Sequence, residues 1–345
     1  MSNYLNSRSR RRLLKLVASG AVIAGSASFS NPLLAIGKAK NKVWEKYRNQ
    51  LVIDGLSGAF DAKTKALSSD VLSQFRQSGI TAINATIPYP GDLFEEANRK
   101  VDHAVNLITR YPEYLRLVTS SNDILKAKVD NQLGVIIGFQ STEMFENDLS
   151  RISYFADKGA RIMQLSYNGP SQFGSGGLVK SDKGLTNLGI NAIGEMERNK
   201  VLVDLSHSGK QTVAQAIKQA KRPITISHTG CNSVYRHPRN NDDAELKAVA
   251  DGGGVVGIYL MPFLEGGDDE LTAKMLMNHL NHAINICGIE HVSIGSDQGV
   301  IPVKDGPEYR ARLKKEVERR IAAGISAPGE TPNRPPFIPE LNAIN

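Results

Sequence analysis

Cysteine is scarce: the 345 residues hold two, Cys231 and Cys287, 56 positions apart. That count excludes a disulfide-stapled scaffold and a paired-cysteine metal site, and leaves open one pairing or two buried free thiols. No apolar run reaches the roughly 18 residues that a membrane span needs. Repeats of 20–50 residues are lacking, which removes solenoids and propellers. A Gly-x-Ser-x-Gly nucleophile elbow is missing as well. Gly252-Gly253-Gly254-Val255-Val256-Gly257 has the dinucleotide spacing, but it follows a helical pattern and precedes a strand, the reverse of the context required. What remains, 41% hydrophobic and 22% charged with 31 Gly and 15 Pro, excludes a disordered or collagen-like chain. The length admits two domains or one α/β barrel of about 250 residues.

Acids are absent from the first thirty residues, which carry Arg8, Arg10, Arg11, Arg12 and Lys15. Without these five, 37 basic residues face 35 acidic ones. The formal charge of +7 is therefore largely a property of the leader and gives little support for a nucleic-acid partner. Ser9-Arg10-Arg11-Arg12-Leu13-Leu14-Lys15, followed by a short apolar stretch to Ala24 and then small residues, reads as a removable signal and resembles the twin-arginine export signal. It implies the twin-arginine translocase as a partner during export, with a periplasmic or exported destination. Because that route carries folded cargo, a cofactor could be inserted before transport. Cleavage after Ala27 or Ala35 gives a leader of residues 1–35 and a linker of 36–50. The other reading is an amphipathic N-terminal helix or anchor.

From residue 51 short apolar, β-branched runs alternate with amphipathic stretches. The runs are Leu51–Leu56, Ile80–Ile87, Leu115–Thr119, Gly134–Gln140, Arg161–Tyr167, Val201–His207, Pro223–His228, Gly254–Leu260 and His291–Asp297. Helical patterns fall at Asp61–Gln77, Glu95–Arg110, Leu188–Asn199, Lys210–Ala220, Asp242–Ala250 and Leu271–Cys287. Continuous apolar strands separated by helices predict a parallel sheet buried on both faces. Nine runs exceed the eight of a TIM-like (β/α)8 barrel by one, and Leu115–Thr119 is taken as the extra, so the barrel is expected over 51–300. Asp242 and Glu245 offer a capping box, and Gly252-Gly253-Gly254 stops that helix. The segment 301–345 reads as a charged helix, Pro307–Ala323, and a Pro-rich arm over the surface.

His207, His228 and Asp297 each close an apolar strand. In a barrel such ends meet at one face, where two imidazoles and a carboxylate suit a divalent metal. The bland alternative is three polar residues that satisfy ordinary hydrogen bonds. Arg239, on the loop after the His228 strand, could clamp a substrate carboxylate, or pair at the surface with Asp242 or Asp243. Ser175-Gly176-Gly177 reads as a flexible mouth loop, and His103, His279 and His282 as packing or solvated residues on helices.

Four blocks in order resemble the membrane dipeptidase family, peptidase family M19: Val203-Asp204-Leu205-Ser206-His207-Ser208, Ile226-Ser227-His228, His237-Pro238-Arg239-Asn240 and Gly288–Asp297. The resemblance implies a metal-dependent (β/α)8 barrel that hydrolyses dipeptides at a two-zinc site. By resemblance, His207 and His228 match second-metal histidines, Arg239 the arginine that receives the substrate carboxylate, and Asp297 the aspartate that handles the proton. Departures are equally specific. Leu56 and Gly58 stand where the family has first-metal ligands, Gln140 where it has the bridging glutamate, and Tyr167 where it has the oxyanion-stabilising histidine. The chain also stops at Asn345, short of the family's closing helices. These residues imply one zinc ion rather than two, on His207 and His228 with Asp297, Gln140 or water, able to lower the pKa of bound water to about 7. The expected substrate is a dipeptide or related amide, with Tyr167 donating to the oxyanion. The alternatives are a degenerate member that binds or matures a peptide-like metabolite, such as a siderophore precursor, and an exported scaffold.

Overall fold

The computed structural model describes residues 49–342 apart from 62, 268 and 269, so the expected leader and the linker up to residue 48 lie outside the described residues. Ten strands run β1 Ile53–Gly58, β2 Ala82–Thr86, β3 Leu115–Leu117, β4 Leu133–Phe139, β5 Ala160–Gln164, β6 Leu202–Asp204, β7 Thr225–Thr229, β8 Val255–Ile258, β9 Val292–Ile294 and β10 Gln298–Gly299. All named pairings are parallel, in the order β10-β1-β2-β4-β5-β6-β7-β8-β9, with β3 paired only to β4. The run taken as supernumerary is thus the strand that stands outside the ring. Beyond β9, Asp297 N donates to Leu56 O at 2.8 Å and β10 pairs with Ser57 and Gly58 of β1, which brings the two ends of the curled sheet together. The fold is a TIM-like α/β barrel.

Nine helices among the described residues cover this sheet: α1 Ser69–Gln77, α2 Phe94–Arg110, α3 Ser121–Val129, α4 Ser150–Asp157, α5 Asn187–Arg198, α6 Lys210–Gln219, α7 Asp243–Asp251, α8 Ala273–Cys287 and α9 Pro307–Ala322. The helix expected from Asp61 begins only at Ser69, because Ser68 adopts extended backbone and its side chain accepts from Val71 N. α3 and α4 were not among the expected helices; each is a short helix of eight or nine residues. α7 has the expected Asp242–Glu245 capping box. β4 is buried at every residue, as a strand covered on both faces requires. Cys231 and Cys287 are free and buried.

The C-terminal arm, expected to be extended, instead runs through successive turns, with Glu330 N bonded to Ala327 O, Arg334 N to Thr331 O and Leu341 N to Ile338 O, and it packs in rather than lying loosely. Phe337 and Ile338 are buried, and Arg334 donates to the carbonyls of Pro262, Glu265 and Gly267. No helix among the described residues is long and apolar enough to cross a membrane.

Candidate active site at the barrel mouth

The site begins with two buried aspartates, one at the end of β6 and one near the start of β1. Asp204, at the end of β6, accepts from the Ser206 and Ser227 amides (3.1 and 3.0 Å), from both serine hydroxyls, and from Gln164 Nε2 at 3.0 Å. Asp54 on β1 likewise accepts from Leu56 N and from the amide and hydroxyl of Ser296. Each carboxylate therefore holds the residue just before a candidate functional one, Ser227 before His228 and Ser296 before Asp297.

This network decides where the histidine protons sit. Ser227 gives its hydroxyl proton to Asp204, so its oxygen accepts from His228 Nδ1 at 2.9 Å. Asn168 Nδ2 donates to Ile325 O at 2.7 Å, which turns Asn168 Oδ1 toward His207 Nδ1, also at 2.7 Å. Both imidazoles then carry their proton on Nδ1. Their Nε2 lone pairs face one another at 3.0 Å, an arrangement that is repulsive for two neutral rings by themselves and suited to a shared cation. Burial, reinforced by the Arg239 charge, holds both histidines well below the usual imidazole range, in the neutral form a metal needs.

Tyr167 stacks on His207 with ring centroids 4.1 Å apart, and its oxygen accepts from Arg320 Nη1 at 3.3 Å. Burial raises its phenol while Arg320 pulls it down. Asp297 has a left-handed backbone (φ 58°), and its carboxyl is pushed up to about 7 by its protein surroundings, against the pull of Arg239 and Arg320. Arg239 is 4% exposed and donates to Ser206 O. The surface pairing considered for it does not form: Asp242 pairs with Lys210 and Asp243 with His282, and no carboxylate among the described residues lies within ion-pair distance of Arg239.

Gln140, just past the end of β4, donates from its amide Nε2 to Thr86 Oγ1 at 2.5 Å. Leu56 is buried, while a side chain added at Gly58 would meet no heavy atom within 4 Å. Gly58 opens on a cavity of about 210 Å3 lined in part by Ser57, Phe60, Ala85, Thr86, Ile87 and Asp297. Among the described residues no three His, Cys, Asp or Glu side chains are grouped to hold a metal ion. Leu56 and Gly58 offer no ligating side chain on β1, and the facing Nε2 lone pairs of His207 and His228 are a donor set that fits a divalent ion.

Residue-type reasoning passed over Asp204, Ser227, Asn168 and Arg320 as site residues. The first two lie inside the quoted blocks and could have been found there. Arg320 could not, since α9 carries several arginines and nothing in its pattern distinguishes the one that faces the mouth.

Fold and site together define a (β/α)8 barrel protein with a polar site at the carboxyl ends of its strands. A family model, membrane dipeptidase (peptidase family M19), matches residues 57–323, and the chain belongs to that family. It is 28% identical over 254 residues to an uncharacterized dipeptidase of Schizosaccharomyces pombe, spanning 70% of this chain and 61% of that protein. The chain thus spans about three fifths of that relative's length. Among solved structures it resembles an amidohydrolase from Pseudomonas aeruginosa (TM-score 0.72, 28% identity, 86% of this chain and 88% of that one). A metallo peptidase from Rhodobacter sphaeroides, solved with a phosphinate mimic of the dipeptide L-Ala-D-Ala, shares the fold (TM-score 0.63, 19% identity, 72% and 85% covered).

Proposed function

We propose that this protein is an exported hydrolase that cleaves dipeptides or a closely related amide and uses one divalent ion, zinc, rather than two. The observation that carries this reading is Arg239, a buried guanidinium without a carboxylate partner beside the histidine pair and close enough to Asp297 to influence its ionisation. Such a group receives the terminal carboxylate of a small peptide through paired N–H donors. His207 and His228 would hold the ion, which when bound supplies Lewis-acid polarisation. Asp297, titrating near neutrality, takes a proton from the attacking water and returns it to the leaving amine nitrogen. The Tyr167 hydroxyl donates to the oxyanion. Phe60, Ala85 and Ile87 give the neighbouring cavity an apolar wall for a substrate side chain.

Elemental analysis of the mature protein, purified without added zinc, tests this together with a dipeptide screen. About one equivalent of metal, lost in both His207→Ala and His228→Ala, with hydrolysis of at least one dipeptide, is the expected result. No metal and no hydrolysis would sink the proposal. The replaced positions Leu56, Gly58 and Gln140 favour a second reading, a degenerate member that binds or matures a peptide-like metabolite such as a siderophore precursor. The triple variant Leu56→His, Gly58→Asp, Gln140→Glu separates the two, because a large gain in dipeptidase activity marks a reduced enzyme and no gain favours the binder. Export rests on Ser9–Lys15, and replacing Arg10 and Arg11 by lysine should leave the precursor in the cytoplasm.

A further inference from the structure

We propose that the end of α9 and the turn after it, Arg320–Glu330, is a positioning element that sets where the protons of the site point. Two contacts carry the inference. Arg320 has only donors, so its bond to the Tyr167 oxygen (3.3 Å) occupies a lone pair of that oxygen and leaves the phenolic O–H free to donate into the mouth. Ile325 O accepts from Asn168 Nδ2, which fixes which end of the Asn168 amide meets His207 and hence which imidazole nitrogen is protonated. One short segment therefore acts on both members of the stacked Tyr167–His207 pair.

The segment is itself held in shape. Glu330 accepts from Arg320 Nε and Nη2 (2.6 and 2.9 Å), from Ala327 N at 3.0 Å and from Ser326 Oγ at 3.2 Å. The same carboxylate closes the turn and aims the guanidinium. His237 Nε2 adds a bond to Pro328 O at 2.8 Å from the loop that carries Arg239. Arg320 needs no contact with substrate in this account; it works through Tyr167.

This inference rests on the hydrolase reading, and its test separates the two. Dipeptide kinetics and calorimetric binding of the phosphinate mimic of L-Ala-D-Ala are measured for wild type, Arg320→Met, Arg320→Lys, Tyr167→Phe and the Arg320→Met/Tyr167→Phe double variant. Arg320→Met should lower kcat about tenfold or more with KM changed less than about twofold, Arg320→Lys should recover part of the loss, and Arg320→Met should add less than about twofold to Tyr167→Phe. An equal loss in both backgrounds, or a change in KM alone, overturns the positioning role. A second readout needs no turnover: the His207 Nδ1–H resonance in 15N–1H correlation spectra of full-length Glu330→Ala should broaden or vanish while melting remains cooperative. A wild type that neither hydrolyses dipeptides nor binds the phosphinate overturns the hydrolase reading instead, and the His207 resonance then decides the positioning role, an unchanged signal in Glu330→Ala overturning it.

Discussion

Asp297 holds a carboxyl that titrates at about 7, set by its protein surroundings and by Asp54 and Glu330 raising it while Arg239 and Arg320 lower it. A general base works ionised, so kcat/KM should climb tenfold per pH unit up to about pH 7 and level off above. Asp297→Asn should remove that acidic limb along with about 10²–10⁴ of the rate. A pH–rate profile checks both, and an unchanged limb in the variant would assign it to another group. Asp54 makes a different prediction, about stability. Its carboxyl is raised by burial from 3.8 to about 6, so between those values the folded chain binds more protons than the unfolded one. Stability from this group is fully present below about pH 4 and is lost as pH rises through 6, a change of roughly 3 kcal/mol. Asp54→Asn should cancel that dependence, and urea titrations of both proteins from pH 4 to 8 would show their difference narrowing toward acid. A difference flat in pH would contradict it.

Strands β7, β8 and β9 meet at a contact that only glycine allows. The Ser227 carbonyl would lie 1.9 Å from a Cβ at Gly257 and 1.8 Å from one at Gly295, both against backbone that cannot swing aside. Gly257→Ala must therefore push β7 outward, and it should cost about 1–3 kcal/mol or more and shift His228, which follows Ser227 directly. Gly58→Ala is the control, since its Cβ enters open space and stability should move by less than about 1 kcal/mol. Thermal melts of the two variants give the comparison, with retained metal as the reading on His228. Legibility in the sequence follows the same physics. Strand-end residues such as His207, His228 and Asp297 were legible because an apolar run ending in a polar residue reports its own place on the barrel. The start of α1 was not, because one serine side chain settles it. The hydrogen bond from Gln140 to Thr86 was not legible either, because 54 residues separate them and only the folded sheet sets them side by side.

For the molecule as a whole, the alternation of strands and helices made the barrel readable, down to β3 standing outside the ring. What the C-terminal segment does was not readable, because proline content predicts an extended arm without saying what it touches. The arm is anchored where Arg334, 3% exposed, donates to three carbonyls around the 3-10 turn Pro262–Leu264 that follows β8. A second tie, from Gln298 Nε2 to Pro336 O, comes from β10 beside Asp297 and the cavity. The bonds of a buried guanidinium to carbonyls are charge-assisted, and the buried Pro262 carbonyl loses its donor when the guanidinium is removed, so Arg334→Ala should cost about 2–3 kcal/mol. Loosening ought to appear first where the arm is tied. In hydrogen exchange, amides near residues 262–267 and 334–338 should lose protection before those of β4. Uniform loss across the barrel would mean that the arm and barrel unfold as one unit, and the mouth would then depend on the arm for its shape throughout.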